Sequence, residues 1–367
     1  MDQKITPKIK MLVIRISAMG DVALTVPPLN RIIKNNPELE ITFISKPPYG
    51  CFFWGIPRFK FYPVQFNNYR GILGLQKLSN EIFYSEKFDL VIDLHGSLRS
   101  RIMCWFAQWR GIPSFRINKG RSEKKLATRK TGKILKPLKS IVNRYLEVFA
   151  KAGLNTGNFM FQDEAPREMG LEIKEWEGIQ INPSTPKCIN LNDKNIGWAP
   201  FAGFQLKEMP IQKQISLVNE LLSQIFDLKI IFFAGRDQEM SLKPFFDGIP
   251  HCFHHRMVFS GNLTQNLEDE LVLISSLNIM VSMDSANMHL AALLGVNVLG
   301  IYGTTHPDLG YVPYLQRESG TYGINGLYCR PCTVFGNGTC YRGDFACMQK
   351  IIINDLVENI LFRLKKF

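Results

Sequence analysis

Three nucleotide-handling signatures are missing from this chain. There is no Gly-x-Gly-x-x-Gly and no Gly-x-x-x-x-Gly-Lys-Ser/Thr, which argues against a dinucleotide-type dehydrogenase and a P-loop nucleotide hydrolase. There is also no Asp-x-Asp, which argues against a metal held by two such carboxylates at a diphosphate. Long apolar runs are lacking too. The longest stretch, Met288 to Tyr302, contains His289, Gly295 and Asn297 and is too short to span a bilayer. The early run Met11 to Ile16 is interrupted by Arg15 and followed by Gly20-Asp21, so no signal peptide is expected. These absences place the protein in the cytoplasm with its thiols mostly reduced. Acid is in short supply: 32 Asp and Glu against 44 Lys and Arg leave a net charge of +12. That excess implies an anionic partner, such as nucleic acid, a membrane surface or a phosphorylated substrate.

What is present is an ordinary globular composition, 46% hydrophobic and 21% charged over 367 residues, long enough for two domains. Short apolar runs alternate with amphipathic segments, the pattern of parallel α/β units. Strands are expected at Lys10–Ile16, Ile41–Ser45 and Leu90–Leu94, with a helix over Val22–Lys34 that Pro27 and Pro28 kink or delay. A second series follows: strands Ile196–Ala199, Lys229–Ala234, Ile279–Met283 and Val296–Tyr302, with helices Lys213–Phe226 and Ser285–Leu294. Between the series, Pro166, Pro183 and Pro186 interrupt a polar stretch that reads as a linker. The prediction is an α/β protein of two Rossmann-like domains facing a cleft, with ligands at the carboxyl ends of the strands. The expected boundaries are 1–165, a linker over 166–194, 195–350, and a basic amphipathic helix over 351–367.

The strongest local signal is VSMDSANMHLAALLGVNVLGIYG, Val281 to Gly303. A strand ends at Asp284, a helix starts at Ser285, and His289 lies one turn further in. The free amides of Ser285, Ala286 and Asn287, with the Ser285 hydroxyl, form an anion site aided by the helix dipole. The plain alternative is an N-cap at Asp284 beside a satisfied histidine. In GWAPFAGFQLKEMP, Gly197 to Pro210, Lys207 would neutralise a phosphate held at Ser285 if the two loops face each other. Otherwise it is a solvated lysine. In FFAGRDQEM, Glu239 or Asp237 could accept from ribose hydroxyls, or simply serve a helix start. In VIRISAMGDVALTVPPL, Val13 to Leu29, a lone Gly20 makes the turn, and Asp21 stands where such loops usually place a phosphate.

From Arg116 to Arg144 eleven basic residues face one acid, Glu123, so this segment holds +10 of the +12 total. Lys124, Lys125, Arg129 and Lys130 form its centre. Few apolar residues interleave, so the segment reads as surface. Almost no aromatics do, which weakens a nucleic-acid stacking platform. A phosphorylated glycolipid or an anionic membrane fits at least as well, and a solvated charge run is the bland alternative. Near the end lie Cys329, Cys332, Cys340 and Cys347. The first pair has zinc-like spacing and the second does not, so reduced structural thiols are preferred to a zinc site.

Taken together, the segments IRISAMGDVALTVPPL, DLVIDLHGSLRS, GWAPFAGFQLKEMP, MDSANMHLAALLGV, GTTHP and the terminal cysteines with CMQKI resemble glycosyltransferase family nine, the heptosyltransferases. The resemblance runs in order along nearly the whole chain. It implies a glycosyltransferase-B fold and inverting, metal-independent transfer of heptose from ADP-heptose to the lipopolysaccharide inner core, with no cofactor. It implies a cytoplasmic enzyme, peripheral at the inner face of the inner membrane. By position, Asp21 matches the family's base and Lys207 its phosphate-binding lysine. Asp284, Ser285 and His289 match its nucleotide-diphosphate motif, and Glu239 its ribose acid. Arg99 and the basic block, with Gly20, fall on the acceptor side. Met209 replaces the family's usual tryptophan, and Ala286 its usual glycine. The alternatives are another nucleotide sugar or, from a different class, a nucleic-acid-binding protein, although no nucleic acid is expected.

Overall fold

The computed structural model describes residues 8–157, 177–184 and 194–365. They divide into two compact units, one of residues 8–120, 141–157 and 177–182, the other of residues 121–140, 183–184 and 194–365.

The first unit is built on β1 (Ile9–Ile14), β2 (Leu39–Ser45), β3 (Phe59–Pro63), β4 (Leu90–Asp93) and β5 (Ser114–Arg116), all parallel in the order β3-β2-β1-β4-β5. Central parallel strands are covered on both faces and so read as nearly unbroken apolar runs. Met11, Leu12, Val13 and Ile14 are accordingly fully buried. After β1 the chain forms α1 (Met19–Ala23) and α2 (Val26–Asn35), not one helix. Pro27 and Pro28 fall in the first turn of α2, where their missing N–H groups would have no intrahelical acceptor anyway. Helices α3 (Gly71–Ser85) and α4 (Leu98–Gln108) pack against each other.

The short α5 (Arg121–Ala127) falls in the second unit, and α6 (Ile141–Lys151) returns to the first. The second sheet comprises β6 (Lys194–Ala199), β7 (Leu228–Phe232), β8 (Met257–Phe259), β9 (Ile279–Met283), β10 (Asn297–Ile301) and β11 (Thr321–Tyr322). Its strands are parallel in the order β11-β10-β9-β6-β7-β8. The helices are α7 (Ile211–Gln224), α8 (Lys243–Gly248), α9 (Leu267–Ser275), α10 (Ala286–Leu293), α11 (Ala346–Gln349) and α12 (Ile353–Leu364). The tail forms the expected amphipathic helix: α12 packs its apolar face on α7 and buries Leu356, Val357, Ile360 and Leu364. Each such side chain contributes about 2 kcal/mol of hydrophobic stabilisation.

One difference from the sequence expectation concerns organisation. Residues 121–140 cluster with the second unit, although the boundary was expected at 165. Most of the expected linker over 166–194 lies outside the described residues. Each strand order reverses direction once, between β1 and β4 in the first unit and between β6 and β9 in the second. In open parallel sheets the crevice at such a switch point is where ligands bind.

Candidate active site

At the switch point of the second unit, Lys207 follows β6 and Asp284 follows β9. Lys207 Nζ lies 3.0 Å from Asp284 Oδ2, with the two side chains only 14% and 9% exposed. Thr305 Oγ1 donates to the same carboxylate oxygen at 2.8 Å. The loop that carries Lys207 is held at several points. The buried Gln214 of α7 donates to Pro200 O (3.2 Å) and Met209 O (2.8 Å) while accepting from Trp198 Nε1 (3.1 Å). Thr304 Oγ1 donates to Leu206 O at 2.8 Å. Gly336, at φ +85°, packs on the lysine stem, and a Cβ there would collide with Lys207 Cγ and Cδ.

Asp284 is therefore not the N-cap of α10. That position belongs to Ser285, whose side chain makes no capping bond and lies 3.0 Å from Ser282 Oγ. Ser285, Ala286 and Asn287 are half-exposed, and the first-turn amides of α10 have no intrahelical acceptor, which leaves them for an anion. His289 is buried behind this helix start. Arg330 braces the adjoining turn from within: it is 5% exposed and donates to Gly303 O (2.7 Å), Tyr302 O (3.0 Å) and Thr305 O (3.3 Å).

The switch point of the first unit is built around Arg15 and Asp21. Arg15 directly follows β1, is 3% exposed, pairs with the Asp21 carboxylate and donates to Leu94 O at 2.8 Å. Asp21 lies in the first turn of α1 and does not cap it, since the N-cap is Ala18. Tyr145 Oη donates to Asp21 O at 3.1 Å. Gly20 has no positive φ, so it is an ordinary residue of α1 and not the maker of the turn. The loop after β4 is organised by the fully buried Asp93, which accepts from the amides of His95 (2.9 Å) and Gly96 (2.7 Å) and from Ser100 Oγ (3.0 Å). Burial raises the Asp93 pKa. His95 is pushed down to about 4 by burial and then by the nearby Arg15 and Lys119 charges, so its ring is neutral at pH 7.

Both switch points thus carry charged side chains on loops that internal hydrogen bonds hold in place. Residues 80–337 match the family description Glycosyltransferase family 9 (heptosyltransferase). The chain belongs to glycosyltransferase family 9. Similar solved structures include a family 9 glycosyl transferase from Veillonella parvula DSM 2008, with TM-score 0.72, 17% identity and 99% of each chain covered. ADP-heptose lps heptosyltransferase II of E. coli gives TM-score 0.67 at 16% identity, covering 98% of this chain and 99% of that one. Heptosyltransferase WaaC of E. coli, solved with ADP, gives 0.63 at 17%, covering 97% and 100%. Comparison with curated protein sequences gave no match. As a family 9 glycosyltransferase with two parallel-sheet Rossmann-like units, the protein has the glycosyltransferase-B class of fold.

The remaining expected site residues of this family 9 member divide. Glu239 and Asp237 are exposed on a 3-10 turn, Arg236–Leu242, beyond β7. Arg99 is exposed at the start of α4. Lys125, Arg129 and Lys130 are exposed, and Lys130 Nζ lies 5.5 Å from the Tyr341 ring centroid. Lys124 corrects the surface reading of the block. It is 5% exposed, donates to Tyr311 Oη at 3.0 Å and stands 4.2 Å from that ring's centroid. Lys133 likewise turns inward, donating to Cys329 O (2.6 Å) and Pro331 O (2.7 Å). Arg144 is buried on α6. Cys329, Cys332, Cys340 and Cys347 are free thiols lining one pocket. Among the described residues no group of three or more His, Cys, Asp or Glu is arranged to hold a metal ion.

The segments GTTHP and DLHGSLRS carry site residues besides Arg99 that no local sequence signal assigned. Thr304, Thr305, Asp93, His95 and Ser100 prove to build the loops, and Arg15, read as an interruption of an apolar run, is the partner of Asp21.

Proposed function

We propose that this family 9 enzyme transfers heptose from ADP-heptose, with inversion and without a metal, to a phosphorylated inner-core acceptor of lipopolysaccharide. The observation that carries the reading is the Lys207–Asp284 pair across the second switch point, beside the free amides of the α10 start. A diphosphate bound there exchanges the Lys207–Asp284 contact for Lys207–phosphate contacts, and the amides of Ser285, Ala286 and Asn287 receive its oxygens. As the glycosidic bond breaks, negative charge grows on the leaving ADP, and these fixed donors stabilise it. Lys207 and the helix start supply the positive charge that a metal supplies elsewhere.

On the acceptor side, Asp21 takes the proton of the attacking hydroxyl as its oxygen bonds to the anomeric carbon. Arg15 holds that carboxylate in place from beneath. Glu239 is assigned to the ribose hydroxyls, and Arg99, Lys125, Arg129 and Lys130 to acceptor phosphates. The names of the E. coli relatives support ADP-heptose as donor. Work at the inner face of the inner membrane follows from a lipid-linked acceptor. Among the described residues no helix is long and apolar enough to cross a membrane. The test is transfer from ADP-heptose, read by mass analysis of lipopolysaccharide extracted from a strain lacking the protein and treated with the purified enzyme. Addition of one heptose supports the reading. Addition from a different nucleotide sugar replaces the donor, and no addition from any nucleotide sugar refutes it.

A further inference from the structure

The outward face of the α3–α4 pair combines features that solvent alone does not explain. Along α4 and its C-cap, Leu98, Arg101, Trp105 and Trp109 follow one another at helical spacing along one stripe, and all are exposed. Trp105 is 44% and Trp109 66% exposed, and their ring centroids lie 3.9 Å apart. Beneath them Met103, Cys104, Phe106 and Ala107 form the buried face, so the stripe is surplus to the core. On α3, Leu73 and Tyr84, each about 80% exposed, flank the exposed Lys77. Arg110 joins the two helices: its guanidinium pairs with Asn80 Oδ1 and stands 5.8 Å from the Tyr84 ring centroid. Helix α4 contains no acid, while Arg99 and Arg101 are exposed on it.

Adjacent tryptophans with a tyrosine, exposed aliphatics and arginines, and no acid on the helix that bears the stripe, are the chemistry of a surface that meets the lipid–water boundary. Indole and phenol rings settle at headgroup level, aliphatic side chains enter the acyl edge, and arginines pair with anionic headgroups. We infer that this face of the first unit docks on an anionic bilayer, with Trp105 and Trp109 as its anchors. The charge complementarity selects lipid over a second copy of the chain, because two copies of this face would set Arg99, Arg101, Lys77 and Arg110 against their like. The placement is also useful. Helix α4 begins five residues after the end of β4, at the carboxyl end of the sheet where α1 carries Asp21, and Trp105 lies about 10 Å along the helix from Leu98. Docking by this face brings that end close to the headgroup plane. The surface differs from residues 121–140, whose Lys124 and Lys133 are tied inward within the second unit.

The inference does not depend on the proposed reaction, because docking is read without donor or acceptor. The experiment is co-sedimentation of the full chain with vesicles of phosphatidylethanolamine containing phosphatidylglycerol, against neutral phosphatidylcholine vesicles, for the wild type, Trp105→Glu/Trp109→Glu, and Arg101→Glu. We expect wild-type binding to the anionic vesicles, with affinity reduced at least tenfold in the tryptophan variant and severalfold in R101E. Thermal midpoints should stay near that of the wild type, because the substituted side chains are exposed. Size-exclusion elution should be the same for all three. Unchanged binding by the tryptophan variant, equal binding to neutral vesicles, or a wild-type dimer that the tryptophan variant dissolves would each overturn the inference.

Discussion

Lys207 Nζ and Asp284 Oδ2 stand 3.0 Å apart across the switch point of the second sheet, although 77 positions separate them in the chain. Neither side chain is free in solvent, and Thr305 donates to the same carboxylate oxygen. A lysine so placed is a point charge kept ready at a helix start, and that arrangement is the basis of the donor-site assignment.

Lys207→Ala should weaken ADP binding about 10–100-fold, the loss of one charge-assisted contact worth about 1.5–3 kcal/mol. It also leaves Asp284 poorly compensated, so a second variant is needed. Lys207→Ala in an Asp284→Asn background separates the two effects, because the buried charge is then gone. Titration calorimetry with ADP on all four proteins gives the coupling between the residues. Full retention of ADP affinity in Lys207→Ala would remove the lysine from the site.

Asp21→Asn should abolish turnover while ADP affinity changes less than twofold, since Asp21 belongs to the first unit. The amide keeps the size of the side chain but loses its charge, leaving the buried Arg15 guanidinium without its carboxylate. Breaking such a pair is destabilising by several kcal/mol when both groups are buried. Asp21 is a quarter exposed, so a loss of about 1–2 kcal/mol is expected by denaturant unfolding. Turnover above a tenth of wild type would exclude the base role.

Within the basic segment the lysines separate by burial. Lys124→Ala removes a hydrogen bond and a cation–π contact to Tyr311 and should cost about 1–3 kcal/mol of stability. Lys125→Ala, Arg129→Ala and Lys130→Ala should stay within about 0.5 kcal/mol of wild type, while lowering activity on a phosphorylated glycolipid more than on a short soluble acceptor. Chemical denaturation and paired assays check the two halves independently.

Two partly buried groups give opposite pH dependences. Burial raises Glu270 on α9 to about 7. The folded state therefore holds a proton that the unfolded chain releases above about 4.5, and stability falls as pH rises from there to about 7. His95 is the reverse. Its folded value of about 4 lies below the unfolded 6.5, so stability is present above 6.5 and lost as pH falls toward 4. Glu270→Gln should raise the thermal midpoint at pH 8 by an amount corresponding to about 3 kcal/mol and leave it nearly unchanged at pH 4. His95→Asn should flatten the acid limb. Thermal scans from pH 4 to 8 distinguish the two, and parallel profiles for wild type and both variants would contradict the assignments.

The sequence was most legible where burial is two-sided. Strands β1, β4, β6, β9 and β10 read as apolar runs because both faces of a parallel sheet are covered. Strands β3 and β5 mix polar with apolar residues and are only partly buried, and β8 is apolar but just three residues long, so no run announced them. The helix-start motif at Ser285 was readable because a strand runs straight into it. The identity of its partner was conditional on a fold, since nothing local connects Lys207 to Asp284. The basic segment misled for the same reason. Its lysines looked solvated because their aromatic partners, Tyr311 and Tyr341, lie some two hundred residues away. Arg15 looked like an interruption of a strand and is instead a buried cation that meets Asp21.

The most direct test of the central claim is single-turnover transfer from ADP-heptose to lipopolysaccharide isolated from a strain lacking this protein, run with the wild type, Asp21→Asn and Lys207→Ala. The wild type should add heptose. Asp21→Asn should add none despite bound ADP-heptose, and Lys207→Ala should add it slowly and need far more donor. Wild-type enzyme that leaves the acceptor unchanged, or an Asp21→Asn protein that transfers at the wild-type rate, would contradict it.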